Sequence, residues 1–195
     1  MPNGCENIDK NLLLDCVNPL VGGTNDRLIL IPFETWQNLT VTYDNTNPII
    51  ITAIAPGSPT PGYVYEGKNN SVNPSATGVK LTYSYAFDHV VNFKVFSNTP
   101  DTKDQLQRHG SKKVVAIVQT NYTGESGNGA FHVYGAKTGL ELSEITQTPN
   151  DADTLGAYYV TLQNNETSRP STLPHTIFNT DFATTKAIVD ALVTV

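Results

Sequence analysis

The sequence predicts a mainly β fold: an antiparallel β-sandwich or barrel with two or three short α-helices and one long strand or hairpin. Three observations carry that expectation. Thr is roughly one residue in eight and Asn about one in ten, while charged residues make up only 15% of the chain, below the usual quarter or so. Polarity supplied by Thr and Asn suits strands and turns better than helices. Short β-branched blocks are separated by stretches rich in Gly, Pro and Asn. Finally, residues 79–95 place Val79, Leu81, Tyr83, Tyr85, Phe87, His89, Val91, Phe93 and Val95 at successive odd positions.

Taken in order, the first candidate element is a helix over 5–17. It would put Cys5, Ile8, Leu12 and Cys16 on one face. Eleven residues of helix separate the two sulfurs by about 16 Å, too far for a disulfide, so the cysteines read as small buried hydrophobes. A disulfide in another conformation, or half a zinc site without an adjacent His, are the alternatives. A loop at 18–25 leads to a buried strand at 27–33. Strands at 39–43 and 49–54 follow, joined by the turn Asp44-Asn45-Thr46-Asn47-Pro48. A Pro/Gly loop at 55–62, a short strand at 63–66 and a polar loop through Pro74 precede the long alternating run.

Strict period-2 alternation marks a strand with one buried and one wet face. Residues 79–95 as one strand would span roughly 55 Å, whereas globular strands usually stop at about 5–6 residues. A two-residue turn would switch the hydrophobic parity from odd to even, and residues 81–91 lack Gly, Pro and Asn. A single long strand, bent near Asp88, is therefore favoured. A three-residue loop near Ala86-Phe87-Asp88 would also preserve parity.

Beyond it, Thr99 can cap a helix over 99–109 with Pro100 at its first position, Asp101 and Asp104 near its start and Gly110 as its stop. A strand at 112–120 and a Gly-rich loop at 123–129 follow. Phe131 and Val133, with Leu140 and Leu142, suggest a strand pair around Gly135 and Gly139. Residues 157–162 form the last clear strand. Thr180 or Asp181 opens a C-terminal helix with Phe182, Ile188, Val189 and Leu192 on its apolar side. No repeat or linker divides the chain, so 1–195 reads as a single domain, with 1–26 and 170–195 as candidate arms.

Composition limits the function classes. A formal charge of −6 and a pI of about 5.1 disfavour nucleic-acid binding. No apolar leader segment is visible at the start, and no apolar run reaches about 18 residues, so a soluble protein made in a cytoplasm is expected. The histidines are scattered: His89 within the long apolar face, His109 at a helix C-terminus that favours a cation, His132 alternating out of a strand and His175 in a loop. Glu141, Glu144, Asp151 and Asp153 form the one acidic concentration. Asn150-Asp151-Ala152-Asp153 lacks the Gly and Glu that complete a calcium loop, so a solvated loop or an adventitious cation site is expected. No catalytic constellation, metal set or cofactor motif emerges.

Three stretches carry a resemblance: Cys5 with Cys16-Val17-Asn18-Pro19-Leu20-Val21-Gly22-Gly23-Thr24-Asn25-Asp26-Arg27-Leu28; Phe131-His132-Val133-Tyr134-Gly135-Ala136-Lys137-Thr138-Gly139-Leu140-Glu141-Leu142; and Asp153-Thr154-Leu155-Gly156-Ala157-Tyr158-Tyr159-Val160-Thr161-Leu162-Gln163 with Glu166-Thr167. They resemble virion proteins of tailed phages and prophages of Bacteroidota hosts, of the tail-tube or ring-forming kind. The resemblance implies a β-sandwich or barrel with a flanking helix and a long hairpin or strand lining a ring. It implies a non-enzymatic structural protein of the virion, made in the bacterial host cytoplasm, whose partners are further copies of itself and other virion proteins. DNA would pass through an acidic lumen without specific binding, and no membrane or cofactor would be involved. On that reading Lys80, Thr82, Ser84, Asp88, Asn92 and Lys94, the wet positions of the long strand, are the candidate self-assembly interface.

Two other classes compete. A capsid-decorating or head-auxiliary protein would bind preformed shells rather than itself. A carbohydrate-binding β-sandwich would present Trp36 and tyrosines as sugar platforms, though the chain holds only one Trp.

Overall fold

A computed structural model describes residues 10–57 and 61–193. In chain order the elements are β1 (Thr24–Pro32), α1 (Phe33–Gln37), β2 (Val41–Tyr43), β3 (Ile50–Ile54) and β4 (Tyr63–Glu66). Then come β5 (Val72–Lys80), β6 (Tyr85–Val95), α2 (Pro100–Arg108), β7 (Val114–Thr120) and β8 (Phe131–Tyr134). The chain continues through β9 (Glu141–Gln147), β10 (Tyr158–Gln163), β11 (His175–Ile177) and α3 (Phe182–Asp190). The strands form a mixed seven-stranded sheet ordered β2-β3-β11-β8-β7-β1-β4 and an antiparallel four-stranded sheet ordered β5-β6-β10-β9.

Three layers result, because the seven-stranded sheet is apolar on both faces. Successive side chains of a strand point to opposite faces, and β1 is hydrophobic at four positions running. Leu28 and Leu30 enter a core shared with Val91, Phe93, Val160 and Leu162 of the smaller sheet. Ile29 and Ile31 enter the other core, with Trp36, Val189 and Leu192. The smaller sheet therefore covers one face, and α1 and α3 cover the other. The fold is a β-sandwich with α1 and α3 on one outer side, while Leu106 of α2 enters the core between the sheets.

Local chemistry explains the helix boundaries. The Thr99 hydroxyl accepts from the Thr102 N–H at 3.2 Å, with Pro100 at the first helical position of α2. Asp181 caps α3 in the same way, accepting from Thr184 N–H at 2.7 Å. Residues 10–17 are not helical. The Asp15 carboxylate accepts from the Val17 and Asn18 N–H groups, each at 2.9 Å, closing a turn that competes with helix. Cys16 is exposed rather than buried, and Cys5 lies outside the described residues.

The run 79–95 is a hairpin, not one strand. Lys80 pairs with Tyr85 and Val79 with Ala86, and the chain reverses over Thr82-Tyr83 with Leu81 N–H donating to the Ser84 carbonyl at 2.9 Å. The buried parity does switch, from even at Val72 on β5 to odd at His89, Val91 and Phe93 on β6. Val79, Leu81 and Tyr83 continued the odd pattern without sharing the buried face. Neither turn residue has a positive φ, so no Gly or Asn was needed. β5 begins earlier than expected, and it tolerates Pro74 because it is an edge strand.

Two other local expectations are corrected. β8 and β9 do not pair; they belong to different sheets. The turn between them needs Gly135 and Gly139, both left-handed at φ 75° and 72°, and a Cβ on Gly135 would meet Leu140 Cγ at 2.7 Å. His175 lies not in a loop but in β11, which runs antiparallel to β8 and parallel to β3. The stretch expected as a C-terminal arm is thus integral: β11 sits inside the main sheet, and Val189, Leu192 and Val193 are core residues.

Candidate self-assembly surface

The β5–β6 hairpin outruns its sheet. β10 pairs with β6 only from Val90 to Val95, so the remaining length has no third strand. A strap from the chain after β10 anchors its root. Asn164 N–H donates to the His89 carbonyl at 3.2 Å, and Phe87 N–H donates to the Pro170 carbonyl at 2.8 Å. Asp88 pairs with Arg169 at 2.5 Å, and that bond pushes the Arg169 guanidinium pKa up. Past Phe87, among the described residues, no further backbone hydrogen bond reaches the ribbon from outside the hairpin, although Ala86 is still buried. Its end carries Tyr85, 58% exposed and edge-on to Phe87 at 5.8 Å, and Tyr83, 99% exposed.

The six sequence-predicted interface residues do not form one face. Thr82 and Ser84 lie in the turn, and Lys80 ends β5 on the side of Tyr85. Asp88, Asn92 and Lys94 alternate along the opposite side of β6. Of these, Asp88 is engaged by Arg169, and Asn92 accepts from the Thr161 hydroxyl at 2.8 Å. Lys94 borders a small polar cleft with Asp151 and Tyr159. The exposed aromatic tip, Tyr83 and Tyr85, sits at positions that the alternation assigns to the buried face. Parity alone could not find it, because an exposed tip and a buried stripe share the same alternation.

The histidines are structural. His89 donates from Nε2 to the Thr172 carbonyl at 3.0 Å, and its Nδ1 accepts from Gly135 N–H at 3.3 Å, which specifies the neutral ring. His109 faces the Tyr65 hydroxyl at 2.9 Å; burial lowers its pKa, so it is neutral rather than a helix-end cation. His132 lies against the Gly129 carbonyl at 3.0 Å, its pKa likewise lowered by burial. His175 is buried edge-on to Tyr43, and burial, then Lys137 and His89, push its pKa down to about 4.

Other candidate chemistry is absorbed by the fold. Asp151 spends its carboxylate on the Asp153 N–H and the Thr154 hydroxyl, at 2.9 and 2.7 Å. Among the described residues no three His, Cys, Asp or Glu side chains gather as a metal site. Trp36 is buried, its Nε1 donating to the Ala136 carbonyl at 3.1 Å, so it cannot serve as a sugar platform. No helix among the described residues is long and apolar enough to cross a membrane. No protein family, curated protein or solved structure matches this chain.

Proposed function

We propose that this chain is a non-enzymatic virion subunit that self-assembles into a ring, of the tail-tube or neck kind. The observation that carries the self-assembly reading is the projecting hairpin with Tyr83 and Tyr85 bare at its end. A ribbon without a third strand gains little stability within its own subunit, and exposed aromatic side chains are typical anchors of protein interfaces. The phage attribution rests on the sequence resemblance. A charge of −6 per subunit suits a conduit that must not retain DNA.

The test is size-exclusion chromatography with light scattering and negative-stain microscopy on the purified full chain. Rings or tubes are expected, and Tyr83→Ser with Tyr85→Ser shifts the protein toward monomer without changing its melting temperature. A protein that stays monomeric at high concentration overturns the reading. Binding to preformed capsids without self-association would favour a decorating role instead.

A further inference from the structure

We infer that residues 11–21 of one copy dock on a second copy, along the outer edge of β4 in the groove between β4 and α2. The inference rests on the self-assembly reading above and names surfaces that meet.

The donor segment is bare and apolar. Leu12 is 98% exposed, Leu14 89%, Val17 87% and Leu20 85%, with Leu13 equally uncovered. Scattered exposed leucines need no explanation, but a contiguous run of this kind marks an interaction site. In an extended chain Leu12 and Leu14 point the same way, and the Asp15 turn ends that stretch.

The acceptor is a strand edge left open along Tyr63–Glu66; just before it, the Gly62 N–H donates to the Leu192 carbonyl at 2.8 Å. β4 is the last strand of its sheet and pairs only with β1. Its sequence, Tyr63-Val64-Tyr65-Glu66, carries neither the Lys nor the Pro that commonly blunts an edge. All four residues line a groove of about 460 Å³, whose far wall is Val95 with Gln105 and Leu106 of α2. Because successive side chains alternate in direction, four consecutive lining residues mean that the groove runs along the edge of the strand. An extended segment can add to such an edge through its backbone while alternate side chains fill the groove.

The exposure of the segment in its own subunit favours a second copy over the chain's own groove. The Gly23 carbonyl accepts from Asn121 N–H at 3.0 Å, and Asn121 Nδ2 donates to the Gly22 carbonyl at 3.4 Å. Asn121 follows β7, which flanks β1 on the side away from β4. Gly22 and Gly23 are thus tied to the end of β7, and within the subunit the leucines that precede them stay exposed and leave the groove unfilled. Lys10 at its start complements Glu66 and Asp101 of the groove in charge. Segment-to-groove contact joins two different surfaces, so it propagates head to tail and closes into a ring when the rotation allows.

Disulfide trapping tests the inference on the full chain. Cys16 supplies an exposed thiol in the donor segment, Cys5→Ser removes the other cysteine, and Gln105→Cys places a thiol in the groove. On mild oxidation we expect a ladder of covalent oligomers whose yield rises with protein concentration. Mass spectrometry on mixed isotope-labelled and unlabelled copies should map the bond between Cys16 of one copy and position 105 of another. Leu12→Ser with Leu14→Ser should lower the yield at least tenfold while leaving the melting temperature unchanged. Absence of that bond, or its formation only within single chains, overturns the inference. Rings that form without the bond overturn this docking mode but leave the ring reading standing. A ladder with the mapped bond but no closed ring or tube upholds the docking mode and overturns the ring reading.

Discussion

At the scale of single residues, the four histidines set how the fold responds to acid. Each has a pKa lowered by burial, with His175 pushed down to about 4. A histidine that titrates near 6.5 in the unfolded chain and lower in the folded one takes up protons on unfolding between those two values. Their contribution is complete above about pH 6.5 and is lost as pH falls through each folded-state value, about 4 for His175, with a slope of up to about 1.4 kcal/mol per pH unit for each proton taken up. Thermal melts followed by circular dichroism should therefore show the midpoint falling steadily from pH 7 to pH 5. His175→Leu should flatten that dependence, since it removes the most strongly shifted group. A midpoint constant across this range would contradict buried neutral histidines.

At the scale of elements, the two longer helices show how short-range signals translate into structure. α3 packs Val189 against the seven-stranded sheet and begins at Asp181, whose carboxylate takes the Thr184 N–H. Hydrogen bonding to that N–H also holds the Asp181 pKa below the usual carboxylate range. Asp181→Ala should cost about 1 kcal/mol in urea unfolding at neutral pH, the usual worth of such a cap, and Asp181→Asn should recover most of it. The hairpin is the opposite case. Its alternation is as regular as that of any buried strand, yet the apolar residues at its end, Leu81, Tyr83 and Tyr85, are exposed.

At the scale of the whole molecule, the two ends of the described chain behave differently. Leu12, Leu13, Leu14, Val17 and Leu20 are exposed, whereas β11 lies between β3 and β8 and α3 covers a sheet face. Truncation after residue 169 should leave a chain without a cooperative melt, because it removes an interior strand and opens the core around Trp36 and Ile51. Serine at positions 12, 13 and 14 should leave stability within about 0.5 kcal/mol of the parent, as for other exposed positions. Denaturant unfolding of the two variants separates an integral segment from a docking one.

The sequence by itself determined the secondary-structure class, α2 and α3 with their caps, and most of the strands. Those features depend on neighbours a few residues away: a hydroxyl or carboxylate before a helix, a proline at its first turn, β-branched blocks between turns. It also placed His89 correctly on a buried face. Tertiary structure alone decided which alternating residues were covered, and so turned one apparent strand into β5 and β6. It assigned β8 and β9 to different sheets, drew His175 into β11 and buried Trp36 against Ala136. The reason is physical: periodicity records that a chain has two unlike faces, while burial depends on partners such as β10 and the strap after it, which lie far away in the sequence. Beyond the strap's last backbone bond, at Phe87, the end of the hairpin is left with Tyr83 and Tyr85 exposed.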